Sequence, residues 1–428
     1  MPELHDSNAL IGSDAPQINP ADDAFGYAPF AKRIADAICK APSPQGLVMA
    51  IHGPWGSGKS TLLNYVKHNL CALPESDRPI VVDFNPWWFK GHDQLAGQFL
   101  AQFAAKLPHE SEALRAIGDA MAEYSGAIGT VIMAAYPIPY LDKTVAWILK
   151  LFKRHVRDVP ALKSEVAKAL SDAGQRFVFV VDDIDRLAPD EIRELFKVVK
   201  ALADFPNVIY LLAFDRDVVA ASLNTSLGVD GEAYLEKIVQ APFALPSVDR
   251  QRLQRKLFAD LDRVLSGTEE SLFDATHWGN VYHDGLDQFI QKPRDIVRVM
   301  NVLSVTYPAV RGEVNPVDFI ALEFLRIFLP EVYGTVRDHR DRFAGHSSES
   351  FRDDRTGVRA FHDGWLATVH ETYREGVKAM VERLFPKLEG VWGNMNYSGD
   401  WEKRWRRDLR VCSPAVFSDL FSIWRLGR

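Results

Sequence analysis

Two hydrophobic rhythms alternate along the first half of the chain. GLVMAIHG, RPIVVDF, RFVFVVDD and NVIYLLAF are short apolar runs that each stop at a turn or an acidic residue, as strands buried on both faces do. STLLNYVKHNLCAL and EIRELFKVVKALADF instead space their apolar residues at helical intervals. Strands separated by helices predict an α/β fold, a parallel sheet flanked by helices. From about Asp93 to Leu170 the rhythm is helical throughout, which predicts a helical insertion in the sheet. Beyond Pro246 it is again mainly helical, with DRQRLQRKLFADLDRVL and KPRDIVRVMNVLSVTY as examples. The expected divisions are a flexible leader 1–21, a first α/β segment 22–92, an insertion 93–172, a second α/β segment 173–246 and a C-terminal helical region 247–428. Within that last region, RDHRDRFAGHSSESFRDDRTG is charged and poor in apolar residues, as a mobile loop would be.

Composition changes this picture little. The 428 residues are 47% hydrophobic and 25% charged, values of an ordinary globular protein with more than one packed unit. A formal charge of -7 does not advertise a nucleic-acid surface, although WEKRWRRDLR near the C-terminus is a local basic stretch. Cys39, Cys71 and Cys412 show no paired spacing and read as reduced thiols, so a cytoplasmic location is expected. One run departs from the soluble pattern. Tyr124 to Leu141 carries no charge and TVAWILKLF follows soon after, so 124–151 is either a docked helical hairpin or a point of membrane contact. Pro137 and Pro139 interrupt it, which favours the hairpin and leaves peripheral association as the alternative.

The chemistry is concentrated after the first strand. Gly53, Pro54, Trp55, Gly56, Ser57, Gly58, Lys59 and Ser60 match G-x-x-x-x-G-K-S. A phosphate chain has to lie against backbone N–H groups, so glycine is needed where a side chain would block the approach, and the following helix turns its positive end to the anion. Lys59 reaches the terminal phosphate oxygens, the Ser60 hydroxyl is placed for Mg²⁺, and Thr61 caps the helix or meets the α-phosphate. RFVFVVDD supplies a second element: Asp182 for the metal shell and Asp183 for a water nucleophile, with loop capping the other reading of Asp183 and of Asp185. Asp215, after the third strand, is a sensor of the terminal phosphate or a structural cap. Arg186 and Arg216 are either transition-state cations or surface ion pairs.

Taken in order, FGYAPFAKRIADAI, GPWGSGKSTLL, FNPWWF, VVDDIDRL, LLAFDRDVV and YLEKIVQAPFALP resemble the KAP family of P-loop NTPases, over about Asp23 to Leu303. The resemblance implies an additional-strand sheet, with the acidic strand not adjacent to the phosphate-turn strand. It also implies ATPase chemistry on ATP and Mg²⁺ by Lys59, Ser60, Asp182 and Asp183. Phe25 and Tyr27 would lie near the base, and Arg294 of a helical lid would contact nucleotide or pack the lid. Members are often bacterial, many carry membrane helices between the two nucleotide motifs, and some are associated with phage exclusion. The expected work is slow ATP hydrolysis coupled to conformational change and to assembly with itself or an effector protein. The alternatives are a nucleotide-gated scaffold with little turnover and a DNA-linked ATPase.

Overall fold

The computed structural model describes residues 14–41, 46–88, 99, 159–202, 204–227, 230–346, 355–393, 395, 397 and 399–423. The chain forms two compact units, one of Pro16–Ser247 and one of Met1–Ala15 with Val248–Arg428.

The first unit is a five-stranded, wholly parallel sheet. Its strands are β1 (Leu47–His52), β2 (Ile80–Phe84), β3 (Phe177–Val181), β4 (Val208–Phe214) and β5 (Ala241–Ala244), in the order β2-β3-β4-β1-β5. β3 and β4 are buried at every position, which is why they read as unbroken apolar runs. β5 is the strand that the hydrophobic pattern does not announce. It is four residues long, half exposed in alternation and contains Pro242, all features of a strand at a sheet edge.

The helices of this unit are α1 (Ala28–Lys40), α2 (Lys59–Cys71), α3 (Val159–Ala173), α4 (Pro189–Leu202), α5 (Arg216–Leu227) and α6 (Gly231–Glu236). Of the helical insertion between β2 and β3, Phe99 and α3 are described, and both pack on the sheet. Phe99 stacks on Phe179 at 4.6 Å, Phe179 lies 5.5 Å from Tyr210, and Val166 and Leu170 of α3 join the same core. The uncharged run 124–151 lies outside the described residues. Among the described residues no helix is long and apolar enough to cross a membrane.

The second unit is helical. Its longest elements are Arg250–Val264, Pro293–Val310, Pro316–Phe328, Arg355–Ala367 and Glu371–Leu384. Within it Asp318 is fully buried and accepts from Arg410 Nε at 2.7 Å and the Val411 N–H at 2.8 Å, while His277 Nε2 lies 2.8 Å away. Burial pushes this carboxyl upward, yet Arg410 and His277 together hold it below the usual carboxylate range. The charged segment read as a loop is helical in part. The helix Pro330–Asp338 reaches into its first two residues, Arg340–Phe343 is a short helix within it, and another begins at Arg355. Within that segment Phe343 and Ala344 are buried, so a few apolar anchors outweigh the polar composition around them.

His362, also in this unit, is fully buried and its Nδ1 accepts from Trp365 Nε1 at 3.0 Å. Burial pulls the imidazole down to about 4. Since the unfolded imidazole titrates near ~6.5, the unfolded chain binds a proton that the folded one refuses. The stability contributed by neutral His362 is therefore complete above that pH and is lost as pH falls toward 4. Thermal unfolding at pH 7 and pH 4.5 is expected to show a smaller acid loss in His362→Gln than in the parent. An equal loss in both would remove His362 as a cause.

Candidate functional site

β1, β4 and β3 deliver their C-terminal ends to one edge of the sheet. His52 pairs with Phe214 across β1 and β4, and Val181 pairs with Leu212 across β3 and β4. The chain leaving each strand thus opens onto one crevice, where ligands of parallel α/β sheets bind.

From β1 the chain enters the glycine turn. Gly56 and Gly58 have φ of 80° and 102°, a region closed to most side chains. A Cβ on Gly58 would lie 2.8 Å from Cε2 of Tyr27. Ser57 folds back on Pro54 through its N–H at 3.2 Å and its hydroxyl at 2.6 Å, while Trp55 projects outward and is largely exposed. α2 starts at Lys59, and its first internal bond runs from the Leu62 N–H to the Gly58 carbonyl. The N–H groups of Lys59, Ser60 and Thr61 consequently have no acceptor within the helix. The hydroxyl of Thr61 accepts from the Gln17 N–H at 3.2 Å.

The segment before α1 closes on this turn. Asp23 accepts from the N–H groups of Phe25, Gly26 and Ala28, which turns the chain so that Tyr27 points inward. Tyr27 is buried, donates to the Ser57 carbonyl and has its phenol pushed upward by burial and by Asp23. Phe25 lies 6.3 Å from it, ring to ring.

Three polar pairs meet at the sheet edge. Lys59 is 7% exposed, donates to the Gly53 carbonyl at 2.9 Å and pairs with Asp185 Oδ2 at 3.3 Å. That same oxygen accepts the Asp215 N–H at 3.2 Å. Asp182 faces Ser60 and has its carboxyl raised, chiefly by burial, with Asp183 adding to the shift and the Ser60 hydroxyl opposing it. Asp182 also accepts the Asp183 N–H at 2.8 Å. Asp183 adopts φ 58° and holds Arg186 Nε at 2.8 Å on one carboxylate oxygen and Asn85 Nδ2 at 3.1 Å on the other.

The structure brings Lys59, Ser60, Asp182, Asp183 and Arg186 into this cluster, with Asp215 joined through its backbone. Arg216 opens α5 and is engaged with Glu232 at 2.6 Å and Glu236 at 3.9 Å. Arg294 belongs to the helical unit, where it donates to Asp14. Two participants stand out that the motifs contain but did not assign to the site. Asp185, left between capping and site by its position, sits on Lys59. Asn85, inside FNPWWF, reaches Asp183 because β2 neighbours β3 in register, Phe84 opposite Val181. A polar residue directly after a strand beside the acidic strand is the signal that marks it. His52, the last residue of β1, is pulled down to about 4, mainly by burial and also by Arg216.

A family model described as the KAP family P-loop domain matches residues 27–310. The chain belongs to the KAP family. This KAP protein is 28% identical over 357 residues to the Phage T7 exclusion protein of Escherichia coli (strain K12), a match covering 75% of this chain and 47% of that protein. It therefore spans about half the length of that curated relative. Among solved structures it is similar to the Aeropyrum pernix ORC2 protein in its ADPNP–ADP complexes, with a TM-score of 0.39, 10% identity, and 94% of this chain and 87% of that chain covered. It is also similar to Aeropyrum pernix ORC1 in complex with DNA, with a TM-score of 0.37, 13% identity, and 95% of each chain covered. At these scores the two likenesses carry no inference about this KAP protein.

Proposed function

We propose that this protein binds ATP with Mg²⁺ at the edge formed by β1, β4 and β3, hydrolyses it slowly, and uses the nucleotide state to change conformation and assembly. Membership in a P-loop NTPase family supports nucleotide binding in general. The observation that carries the finer reading is the meeting of Ser60 with Asp182 across the intervening strand, next to Lys59 and the open N–H groups of α2.

The donor set fits the cofactor. Among the described residues no group of three or more His, Cys, Asp or Glu side chains is placed to hold a metal ion. Mg²⁺ with a nucleotide needs no such cage, since phosphates and water supply most of its oxygen ligands. Ser60 and Asp182 would hold it, and when bound it neutralises phosphate charge. Lys59 and the N–H groups of α2 would bind the phosphates, and the positive φ of Gly56 and Gly58 shapes the turn that leads into them. Asp183 would accept a proton from water at its carboxylate, with Asn85 and Arg186 orienting it. Tyr27 braces the turn from outside.

Both oxygens of Asp183 are occupied by donors, and this favours a second reading: a nucleotide-gated scaffold that turns over little. The named relative adds phage exclusion as the proposed setting, with action in the cytoplasm alongside an effector protein or further copies of this chain. The test is purified protein with Mg-ATP or Mg-GTP, in which phosphate release and particle mass are measured with and without DNA. Steady ATP turnover with a nucleotide-dependent mass is expected. Mass change with negligible turnover selects the scaffold, stimulation by DNA selects a DNA-linked ATPase, and no retention of any nucleotide defeats all three.

A further inference from the structure

We propose that Asp185 gates the access of nucleotide phosphate to Lys59 and passes the outcome to the turn between β4 and α5. This rests on the nucleotide reading above and concerns a residue to which that reading gives no task. Asp185 Oδ2 lies between two donors, Lys59 Nζ at 3.3 Å and the Asp215 N–H at 3.2 Å. The side chains of Lys59 and Asp185 are 8% and 10% exposed, so water screens their attraction poorly. Asp182 and Asp183 are committed elsewhere, to Ser60 and to Asn85 with Arg186.

A phosphate oxygen reaching Lys59 meets a carboxylate already there. Two anions cannot share one ammonium group in so dry a place without repulsion, so Asp185 yields or the phosphate is kept out. The affinity observed is then the intrinsic affinity reduced by the fraction of molecules in which Lys59 is released. When Asp185 yields, its other bond changes too. The Asp215 N–H loses its acceptor at the point where α5 begins, where the Asp215 carbonyl takes the Val219 N–H at 3.0 Å. The next residue, Arg216, holds Glu232 of α6, so the same turn connects phosphate entry to two helices. A purely structural Asp185, one that merely holds the loop, makes the opposite prediction: its loss would loosen the turn and weaken binding.

The experiment titrates Mg-ADP into the parent, Asp185→Asn and Asp185→Glu by calorimetry, with melting temperatures recorded. Hydrogen exchange is followed in peptides covering residues 213–221. Asp185→Asn is expected to bind Mg-ADP about tenfold tighter than the parent, and Asp185→Glu within about threefold of it. Exchange at 213–221 should rise in the parent when Mg-ADP is added and should rise less in Asp185→Asn, whose amide oxygen can keep the Asp215 N–H while no longer competing for Lys59. Unchanged or weaker binding by a folded Asp185→Asn overturns the proposal while leaving the nucleotide reading intact. If that variant does not fold, unaltered exchange in the parent on adding Mg-ADP overturns it equally. A parent that fails to bind Mg-ADP at millimolar concentration brings down the nucleotide reading and this proposal together.

Discussion

Lys59→Ala is expected to lower affinity for Mg-ATP by about a hundredfold or more. Hydrogen bonds to a charged group contribute about 1.5–3 kcal/mol each, and an ammonium group facing terminal phosphates makes more than one. The substitution also acts through its neighbour. Asp185 keeps the Asp215 N–H but loses its cation, so an unneutralised carboxylate remains in a poorly hydrated crevice and repels the incoming anion. The loss should therefore exceed that from removing a lysine with no acidic partner. Titration of Mg-ATP into the parent and the variant, each checked for its melting transition, measures the effect. A folded Lys59→Ala protein binding within a few-fold of the parent would falsify the assignment of the phosphate site.

Asp183→Asn should leave Mg-ATP affinity within about threefold and reduce phosphate release by about a hundredfold to ten-thousandfold, the span of general-base effects. The substitution is clean for a conformational reason. Asp183 has φ 58°, in the left-handed region that asparagine tolerates and alanine does not. An amide oxygen can still accept from Asn85, whereas the ion pair with Arg186 is lost. What disappears is the capacity to take a proton. Single-turnover phosphate release and equilibrium binding separate the two quantities. Parallel loss of affinity would move Asp183 from proton acceptor to structural cap, and unchanged release in an active parent would remove it from the chemistry.

Legibility differed between elements for identifiable reasons. The strands β1, β3 and β4 announce themselves because helices cover both of their faces, leaving unbroken apolar runs. β5 is silent because an edge strand needs neither length nor continuous hydrophobicity. The glycine turn is legible at single-residue resolution, since positive φ at 56 and 58 admits few substitutes for glycine. Asn85 and Asp185 were harder to place. Their partners lie 98 and 126 residues away, and nothing local records which strand becomes a neighbour.

The chain's own order of residues determined the strand and helix rhythm, the phosphate turn and the paired acids after β3, because each is dictated by local backbone geometry and by burial on short runs. Only the tertiary structure decided which acid faces which base. Inserting β4 between β1 and β3 sets Asp182 on Ser60 and Asp185 on Lys59, and seating β2 beside β3 gives Asp183 to Asn85. Such pairings depend on strand order and register, and these are settled by long-range packing of the whole sheet.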